Sequence, residues 1–292
     1  MRRTMLYLPG NNPNMLLRGH LFKPDGLIID LEDSVSRHEK DAARILARDV
    51  LKRGEFGKCE VTVRINGTET DLWREDISFV VPQGVSGVRA PKVETPQAVK
   101  DLDEEISSVE SKSGVQVGST KIFCLLETAL GVWNAYDIAK SSPRVTAIIP
   151  GGEDLAADLR TSRSKEGTEL EWVRRMLIVA ARAAGVDALD TVFPNISDGD
   201  GLRREAGFVK QLGFDGKSVI HPSQIPIIHE IYTPTDREID TAQRIVAAAK
   251  EAAERGLGAV ALDGRMIDAP VIRRAEFTLE RAGQMGKSEN RG

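Results

Sequence analysis

Residues 121–154, KIFCLLETALGVWNAYDIAKSSPRVTAIIPGGED, contain two short apolar runs separated by a longer segment. The first run, residues 121–126, ends at Glu127, and the second, residues 145–149, leads into an acidic pair at 153–154. Short β-rich runs that alternate with longer helical segments are typical of βα units, in which helices join parallel strands. The stretch therefore predicts one such unit with acidic side chains after both strands.

The same alternation occurs along most of the chain. The apolar runs are, in order, Met5 to Leu8, Gly26 to Asp30, Val61 to Ile65, Gly87 to Ala90, Lys121 to Leu126, Val145 to Ile149, Ala188 to Phe193 and Ser218 to Ile220. Segments between them show helical spacing of apolar residues, as in Glu169 to Ala184. Eight parallel strands with intervening helices close into a (β/α)₈ TIM barrel, so the predicted fold class is α/β.

The pattern changes after the eighth run. Thr235 to Arg255 has the spacing of a long helix, and a final helix is expected to end near Arg281. We therefore expect a TIM-barrel catalytic domain over residues 1–225. Residues 226–292 are expected to form a helical C-terminal extension that acts as a lid or in oligomerisation.

Composition narrows the class of partner. The 40 basic and 44 acidic residues leave a net charge of −4, so neither a nucleic acid nor an anionic membrane surface is expected as a partner. Cys59 and Cys124 have apolar neighbours and no metal or disulfide spacing, which is typical of reduced thiols. No apolar run is long enough for a membrane span. We therefore expect a cytoplasmic protein.

Polar residues follow the predicted strands at several places. Active sites of TIM barrels lie at the carboxyl ends of the strands, where Arg64, Lys92, Glu127 and Asp154 are expected. Carboxylates from neighbouring strands hold a hard cation such as Mg²⁺, and an arginine can bind a carboxylate through two hydrogen bonds. The combination predicts a site for a small dicarboxylate or tricarboxylate bound to Mg²⁺.

Each of these residues also has a structural interpretation. Glu127 or Asp154 could cap a helix or form a salt bridge, and Arg64 could form a structural ion pair with Glu32. His221 could hydrogen-bond the backbone at its strand end. The turn Pro9-Gly10-Asn11-Asn12-Pro13 opens a helix, and its free amides could hold a phosphate or carboxylate at the helix N-terminus.

A series of motifs spans nearly the whole chain in order. They are Arg3 to Pro13, Ile29 to Val35, Val63 to Asn66, Pro91-Lys92, Leu126 to Thr128, Asp190 to Phe193, Leu212 to Ser218, His221 to Gln224 and Asp263 to Asp268. On these motifs the chain resembles the citrate lyase β-subunit group of the HpcH/HpaI aldolase/citrate lyase family. That group includes stand-alone malyl-CoA and citramalyl-CoA lyases.

The resemblance implies a retro-Claisen cleavage that converts a citryl thioester into oxaloacetate and an acetyl thioester. It implies that Glu127 and Asp154 are the Mg²⁺ ligands, with the adjacent Glu153 as the alternative to Asp154. Arg64 is implied to be catalytic and to bind the substrate, and Asp268 to be an acid or base that reaches a neighbouring subunit's site. The substrate-binding set expected beside these residues comprises Pro9, Gly10, Asn11, Lys92 and Glu127.

Motif details favour the citrate lyase β type, in which the thioester is carried on a γ acyl-carrier subunit and an α subunit is a transferase. The resemblance also implies a homotrimer or higher oligomer. Two alternatives stay open: a stand-alone lyase or thioesterase that uses malyl-CoA or citramalyl-CoA, and a non-catalytic barrel that acts as a scaffold.

Overall fold

The computed structural model describes the backbone of residues 1–289 and the side chains of residues 1–286. It confirms the TIM barrel, because eight parallel strands close into a ring in which the first strand pairs with the eighth. The strands are β1 (Thr4–Pro9), β2 (Gly26–Asp30), β3 (Glu60–Arg64), β4 (Gly87–Ala90), β5 (Lys121–Leu126), β6 (Val145–Pro150), β7 (Asp187–Asp190) and β8 (Gly216–Val219). Three of them have the predicted bounds, and the longest disagreement is β7, which ends at Asp190 rather than Phe193.

The helices of the described residues are, in chain order, α1 (Pro13–Arg18), α2 (Lys40–Arg53), α3 (Trp73–Val80), α4 (Pro96–Ser113), α5 (Ala129–Trp133), α6 (Ala135–Lys140), α7 (Gly152–Asp158), α8 (Glu171–Ala184), α9 (Gly199–Leu212), α10 (Gln224–Tyr232), α11 (Asp236–Glu254) and α12 (Ala269–Glu289). Helices α1 to α9 follow the strands of the barrel, and α11 and α12 belong to the C-terminal part of the chain. The helix α4 shows how the sequence sets these bounds. The Thr95 hydroxyl caps its first turn, and Gly114, at φ +74°, ends it in the left-handed conformation that glycine adopts easily.

The barrel interior is filled by side chains that alternate along the strands. Met5 and Tyr7 on β1 contact Phe123 and Leu125 on β5, together with residues of β2, β6 and β7. Since successive strand residues point to opposite faces, residues two apart share the inward face. Tyr7 is thus an inward residue near the carboxyl end of its strand.

The chain divides into two compact units, Arg2–His229 and Met1 with Glu230–Gly292. In the second unit α11 packs on α12, and β9 (Val260–Leu262) pairs with β10 (Arg265–Ile267) in an antiparallel hairpin that the sequence analysis did not predict. Its role as a lid or in oligomerisation stays a prediction. Within the described residues, no helix has the length and apolar character that crossing a membrane requires.

A buried ion pair stabilises the outside of the barrel. The Arg144 guanidinium donates to both carboxylate oxygens of Glu110 on α4, at 3.1 and 2.7 Å. The amides of Gly118 and Thr120 donate to the same carboxylate. Although burial opposes the charge, these hydrogen bonds lower the pKa of Glu110 to about 2.

The shifted pKa of Glu110 predicts a pH-dependent stability. Because the pKa in the folded state lies below the ordinary 4.5, the carboxylate stabilises the fold above pH 4.5. The contribution is lost as pH falls toward about 2. At pH 7 we expect Glu110→Gln to lower the free energy of unfolding by about 1–3 kcal/mol, measured by urea denaturation.

The difference between Glu110→Gln and the unsubstituted protein should shrink at pH 3. Glu104→Gln, an exposed position on the same helix, is the matched control and should change stability by less than about 0.5 kcal/mol. A Glu110→Gln effect that is the same at pH 7 and pH 3 would contradict this account.

Candidate active site

A cavity of about 440 Å³ opens at the carboxyl end of the barrel strands. Its walls include Tyr7 and Pro9 from β1, Arg64 from the end of β3, Glu127 just after β5 and Asp154 in the first turn of α7. Parallel strands place the residues at their ends around one rim, which is why positions far apart in sequence meet here. The predicted strand-end positions of Arg64, Glu127 and Asp154 are thus brought together in one cavity.

Glu127 is held in one orientation by its surroundings. Its side chain is 2% exposed, and the backbone amide of Lys92 donates to Oε2 at 3.0 Å. Lys92 adopts a left-handed conformation (φ +52°), which is uncommon for a residue with a side chain. A Cβ at position 151 would overlap the Glu127 side chain, so Gly151 leaves the space that this carboxylate occupies. Thr128, not Glu127, caps the next helix.

The electrostatic environment of Glu127 leaves its negative charge poorly compensated. Burial, and next the nearby charge of Glu32, raises the pKa of Glu127 to about 8, and Asp154 adds to the effect. Carboxylates that crowd in this way are stabilised in their charged form by a cation placed between them.

Asp154 and its neighbour Glu153 differ in what they contact. Glu153 forms an ion pair with Arg163 at 3.1 Å. Asp154 is exposed at the rim of the cavity, and in the part of the chain that the structure describes its carboxylate forms no hydrogen bond or ion pair. Asp154 is therefore the carboxylate that can take a ligand without losing an existing partner.

These residues fit a magnesium ion. Among residues 1–286, no group of three or more His, Cys, Asp and Glu is arranged to hold a metal by protein atoms alone. Mg²⁺ is commonly bound by one or two carboxylates and completes its coordination with substrate and water. Glu127 and Asp154 provide two such carboxylates. The Glu127 carboxylate lies close to other acidic groups and occupies the space that Gly151 leaves, and Asp154 is unpaired in the described residues.

Arg64 is already engaged by the chain's own carboxylates. Its Nε and Nη2 donate to the two oxygens of Asp30, at 2.7 and 2.8 Å. Its Nη1 lies 2.8 Å from Glu32 Oε2 and donates to Asp33 at 3.2 Å. The ion pair with Glu32 that the sequence left open is therefore present, and a substrate carboxylate must share or displace these contacts.

Ion pairing sets the charge state of the Arg64 partners. Burial alone would raise the pKa of Asp30, but the hydrogen bonds from Arg64 hold it below its ordinary range. Burial raises the pKa of Glu32 to about 7, although Arg64 and then Lys92 oppose the shift. The Lys92 ammonium lies 3.2 Å from Glu32, so its side chain contacts a carboxylate of the chain.

The turn after β1 differs from expectation. The Gly10 amide donates to the Asp30 carbonyl at 2.8 Å, and the Asn12 amide donates to the Pro9 carbonyl at 3.1 Å. The Asn11 side chain donates to Glu39. The predicted turn that opens a helix is present, with Asn12 as the N-cap of α1, but the Gly10 amide is not free, because it donates to the end of β2. Substrate binding by Pro9, Gly10 and Asn11 stays a prediction.

Two further residues have local contacts. Asp268 belongs to the second unit, and its carboxylate accepts from the Val271 amide at 3.2 Å, at the start of α12. His221 is exposed and bonds Ser223 within its own turn. The catalytic role of Asp268 stays a prediction.

The catalytic, metal-binding and substrate-binding sets expected from the sequence contain neither Tyr7 nor Asp30, although Asp30 stands among the polar residues at the strand ends. Both face the cavity. Residues 5 and 7 share one face of β1, so the alternation of inward and outward side chains along the strand indicates that Tyr7 points inward. Asp30 ends its strand as Arg64 does, and the two are register partners in neighbouring strands.

Known proteins resemble the chain over nearly its whole length. A citrate lyase subunit beta from Leuconostoc mesenteroides is 43% identical over 282 residues, which cover 97% of this chain and 93% of that protein. A (3S)-malyl-CoA thioesterase from Cereibacter sphaeroides is 34% identical, covering 96% and 94%. The crystal structure of the Mycobacterium tuberculosis protein CitE in complex with magnesium, acetoacetate and coenzyme A superposes with a TM-score of 0.78 at 32% identity, covering 96% of this chain and 98% of that one.

A family comparison agrees with these similarities. The model of the family described as HpcH/HpaI aldolase/citrate lyase matches residues 3–222, which include all eight barrel strands. The family assignment drawn from the sequence motifs is confirmed. The chain belongs to the HpcH/HpaI aldolase/citrate lyase family.

Proposed function

We propose that the chain is a Mg²⁺-dependent carbon–carbon lyase that cleaves a citryl thioester to oxaloacetate and an acetyl thioester, as a citrate lyase β subunit. The observation that carries this proposal is the meeting of Glu127, Asp154 and Arg64 in one cavity at the carboxyl end of the barrel. The chain in which they meet is 43% identical over 97% of its length to a citrate lyase subunit beta.

The reaction breaks one carbon–carbon bond. The hydroxyl of the citryl group loses its proton, and its carbon–oxygen bond becomes the keto group of oxaloacetate. The bond to the carbon next to the thioester breaks, and its electron pair moves into the thioester as an enolate. A proton added to that carbon completes the acetyl thioester. The site must therefore stabilise negative charge on an oxygen of the thioester and accept a proton from the hydroxyl.

The chain's own residues suit these tasks. Glu127 and Asp154 would hold Mg²⁺, which when bound acidifies the substrate hydroxyl and binds a substrate carboxylate. The Lys92 amide keeps the Glu127 carboxylate turned toward the cavity. Arg64 supplies positive charge at the cavity wall, fixed in place by Asp30. Asp268 as the acid or base stays a prediction.

The proposal extends to partners and location. A citrate lyase β subunit takes its thioester from an acyl-carrier γ subunit and works beside an α transferase subunit. We propose these partners, a homotrimeric or higher assembly and a cytoplasmic location. The location is supported by Cys59 and Cys124, which are both free thiols.

A second function uses the same cavity. The similarity to a malyl-CoA thioesterase and to a structure that holds coenzyme A supports a stand-alone enzyme acting on malyl-CoA or citramalyl-CoA. The two functions differ in the acyl group and in whether the carrier is a protein or free CoA.

A substrate panel separates these functions. Turnover of citryl-CoA, malyl-CoA and citramalyl-CoA is measured with Mg²⁺, with and without an acyl-carrier subunit that bears the citryl thioester. Among the three CoA esters we expect the highest kcat/KM with citryl-CoA. We expect a still higher kcat/KM when the citryl group is carried on the acyl-carrier subunit. A clear preference for malyl-CoA, with no gain from the carrier, would support the stand-alone enzyme instead.

A further inference from the structure

Arg89 is a buried cation that no carboxylate of the described residues pairs with. It lies in the middle of β4, it is 0% exposed, and in the described part of the chain none of its three guanidinium nitrogens forms a hydrogen bond or ion pair with a carboxylate. Its guanidinium carbon lies 5.2 Å from the ring centre of Phe123 and 6.0 Å from that of Tyr7. Arg89 therefore lies inside the barrel, among the side chains that form the inner core.

Other buried arginines in the described residues are paired. Arg44 donates to Asp76, Arg144 to Glu110, and Arg174 to Asp190. A buried charge without such a partner destabilises the fold, because the guanidinium loses its water and gains too little in exchange. Burial lowers the pKa of Arg89, which reflects the same cost. The contacts with the Phe123 and Tyr7 rings offset part of this cost, but no carboxylate in the described residues pairs with Arg89.

The side chain between Arg89 and the cavity is Tyr7. The Tyr7 ring lines the cavity, and the guanidinium of Arg64 lies 5.1 Å from its centre. Burial raises the pKa of Tyr7, so the hydroxyl keeps its proton at neutral pH. Arg64 and Arg89 act in the opposite direction and polarise the O–H bond. A protonated, polarised hydroxyl at a cavity wall is a hydrogen-bond donor for an anion.

We propose that Tyr7 is a further catalytic residue, whose hydroxyl donates a hydrogen bond to the substrate oxygen that becomes negative as the carbon–carbon bond breaks. Arg89 is a positioning residue that orients and polarises this hydroxyl. The inference rests on the proposed function. No carboxylate of the described residues pairs with Arg89, and the negative charge that it stabilises through Tyr7 is the one that develops in the substrate. The Tyr7 oxygen keeps its proton throughout.

The proposal explains why an unpaired charge is kept below the site. Donors fixed in a site that excludes water stabilise a developing oxyanion strongly, because they need no reorganisation when the charge appears. Arg64 has its nitrogens occupied by Asp30, Glu32 and Asp33. Arg89 has no such partners in the described residues, so its field acts on Tyr7.

The first test is Tyr7→Phe in the full-length chain, assayed with citryl-CoA and Mg²⁺. We expect kcat to fall about 10²- to 10³-fold, the usual effect of removing one oxyanion donor. KM should change by less than about threefold, because a bond formed only in the transition state does not affect substrate binding. An unchanged kcat, or a change confined to KM, would overturn the role of Tyr7.

The second test compares Arg89→Met with Arg144→Met, a buried arginine away from the cavity. We expect Arg89→Met to keep or raise the melting temperature and to lower kcat, because it removes an unpaired charge that serves the reaction. Arg144→Met should lower the melting temperature and leave kcat of the folded protein unchanged, because Glu110 loses its partner. An Arg89→Met protein that unfolds, or that keeps full kcat, would overturn the role of Arg89.

The double variant tests whether both residues act through one hydroxyl. We expect Tyr7→Phe with Arg89→Met to have a kcat close to that of Tyr7→Phe alone. If the fall in kcat of the double variant equalled the product of the two single-variant factors, the link between the two residues would be contradicted. An unsubstituted protein that cleaves neither citryl-CoA nor the citryl thioester on its acyl-carrier subunit would overturn the proposed function itself, whereas the melting temperatures test Arg89 without any substrate.

Discussion

Glu127→Gln is expected to slow cleavage of the citryl thioester by about 10³-fold or more and to weaken Mg²⁺ binding. The substitution keeps the shape that the space beside Gly151 accommodates, but removes the charge that a hard cation requires. A bound metal supplies several kcal/mol of transition-state stabilisation, and each 1.36 kcal/mol is about tenfold in rate. Steady-state kinetics and Mg²⁺ titration calorimetry measure the two effects.

The neighbouring carboxylates provide matched controls for Glu127→Gln. Asp154→Asn should show the same losses, since its carboxylate has no other partner in the described residues. Glu153→Gln should keep most activity, because Glu153 is paired with Arg163. Unchanged Mg²⁺ binding and cleavage in Glu127→Gln would contradict the role of Glu127 as a metal ligand. Reversed results for positions 153 and 154 would make Glu153 the ligand.

Arg64→Met is expected to affect both activity and stability. The Asp30 side chain is 3% exposed and loses both hydrogen bonds from the guanidinium. Removing one partner of a buried ion pair typically costs about 3–5 kcal/mol. The cavity also loses the positive charge at its wall, so we expect kcat/KM to fall about 10²- to 10³-fold. Urea denaturation and steady-state kinetics at pH 7 measure these changes.

Two variants separate the contributions of Arg64. Arg64→Lys keeps the charge but not the paired donors, and should recover stability more than activity. Arg48→Met removes an exposed ion pair with Asp49 and should change stability by less than about 1 kcal/mol. Full activity in Arg64→Met would show that the residue serves only to hold Asp30 and Glu32.

Most of the barrel follows from sequence patterning, because each strand is a short apolar run between helical segments. The end of β7 was misplaced for a physical reason. Val192 and Phe193 continue the apolar run, but beyond Asp190 the chain leaves the sheet, and the Phe193 carbonyl accepts from the Gln224 side chain. An apolar run indicates burial, and burial does not require strand pairing.

The hairpin in the second unit has a local signal in the sequence at its turn. Asp263 and Gly264 both have positive φ, 49° and 75°, which suits the tight turn of a two-residue hairpin. The flanking runs Val260–Leu262 and Arg265–Ile267 have only three residues each, too few to show alternation.

The positions of the site residues could be predicted from the sequence, but most of their side-chain contacts could not. Strand ends placed Arg64, Glu127 and Asp154 at one rim, because topology alone brings those positions together. Which carboxylate pairs with which cation depends on side-chain geometry in three dimensions. Arg89 stands within an apolar strand whose run as a whole indicates only burial, although a charged residue in that setting is itself a signal of function.

The central claim is Mg²⁺-dependent cleavage of a citryl thioester, and the most direct test is oxaloacetate release from citryl-CoA by the purified full-length chain. We predict release with Mg²⁺, loss of release with excess EDTA, and recovery when Mg²⁺ is restored. Release that is unaffected by EDTA would contradict the metal site, and no release under any of these conditions, with or without the acyl-carrier subunit, would contradict the lyase.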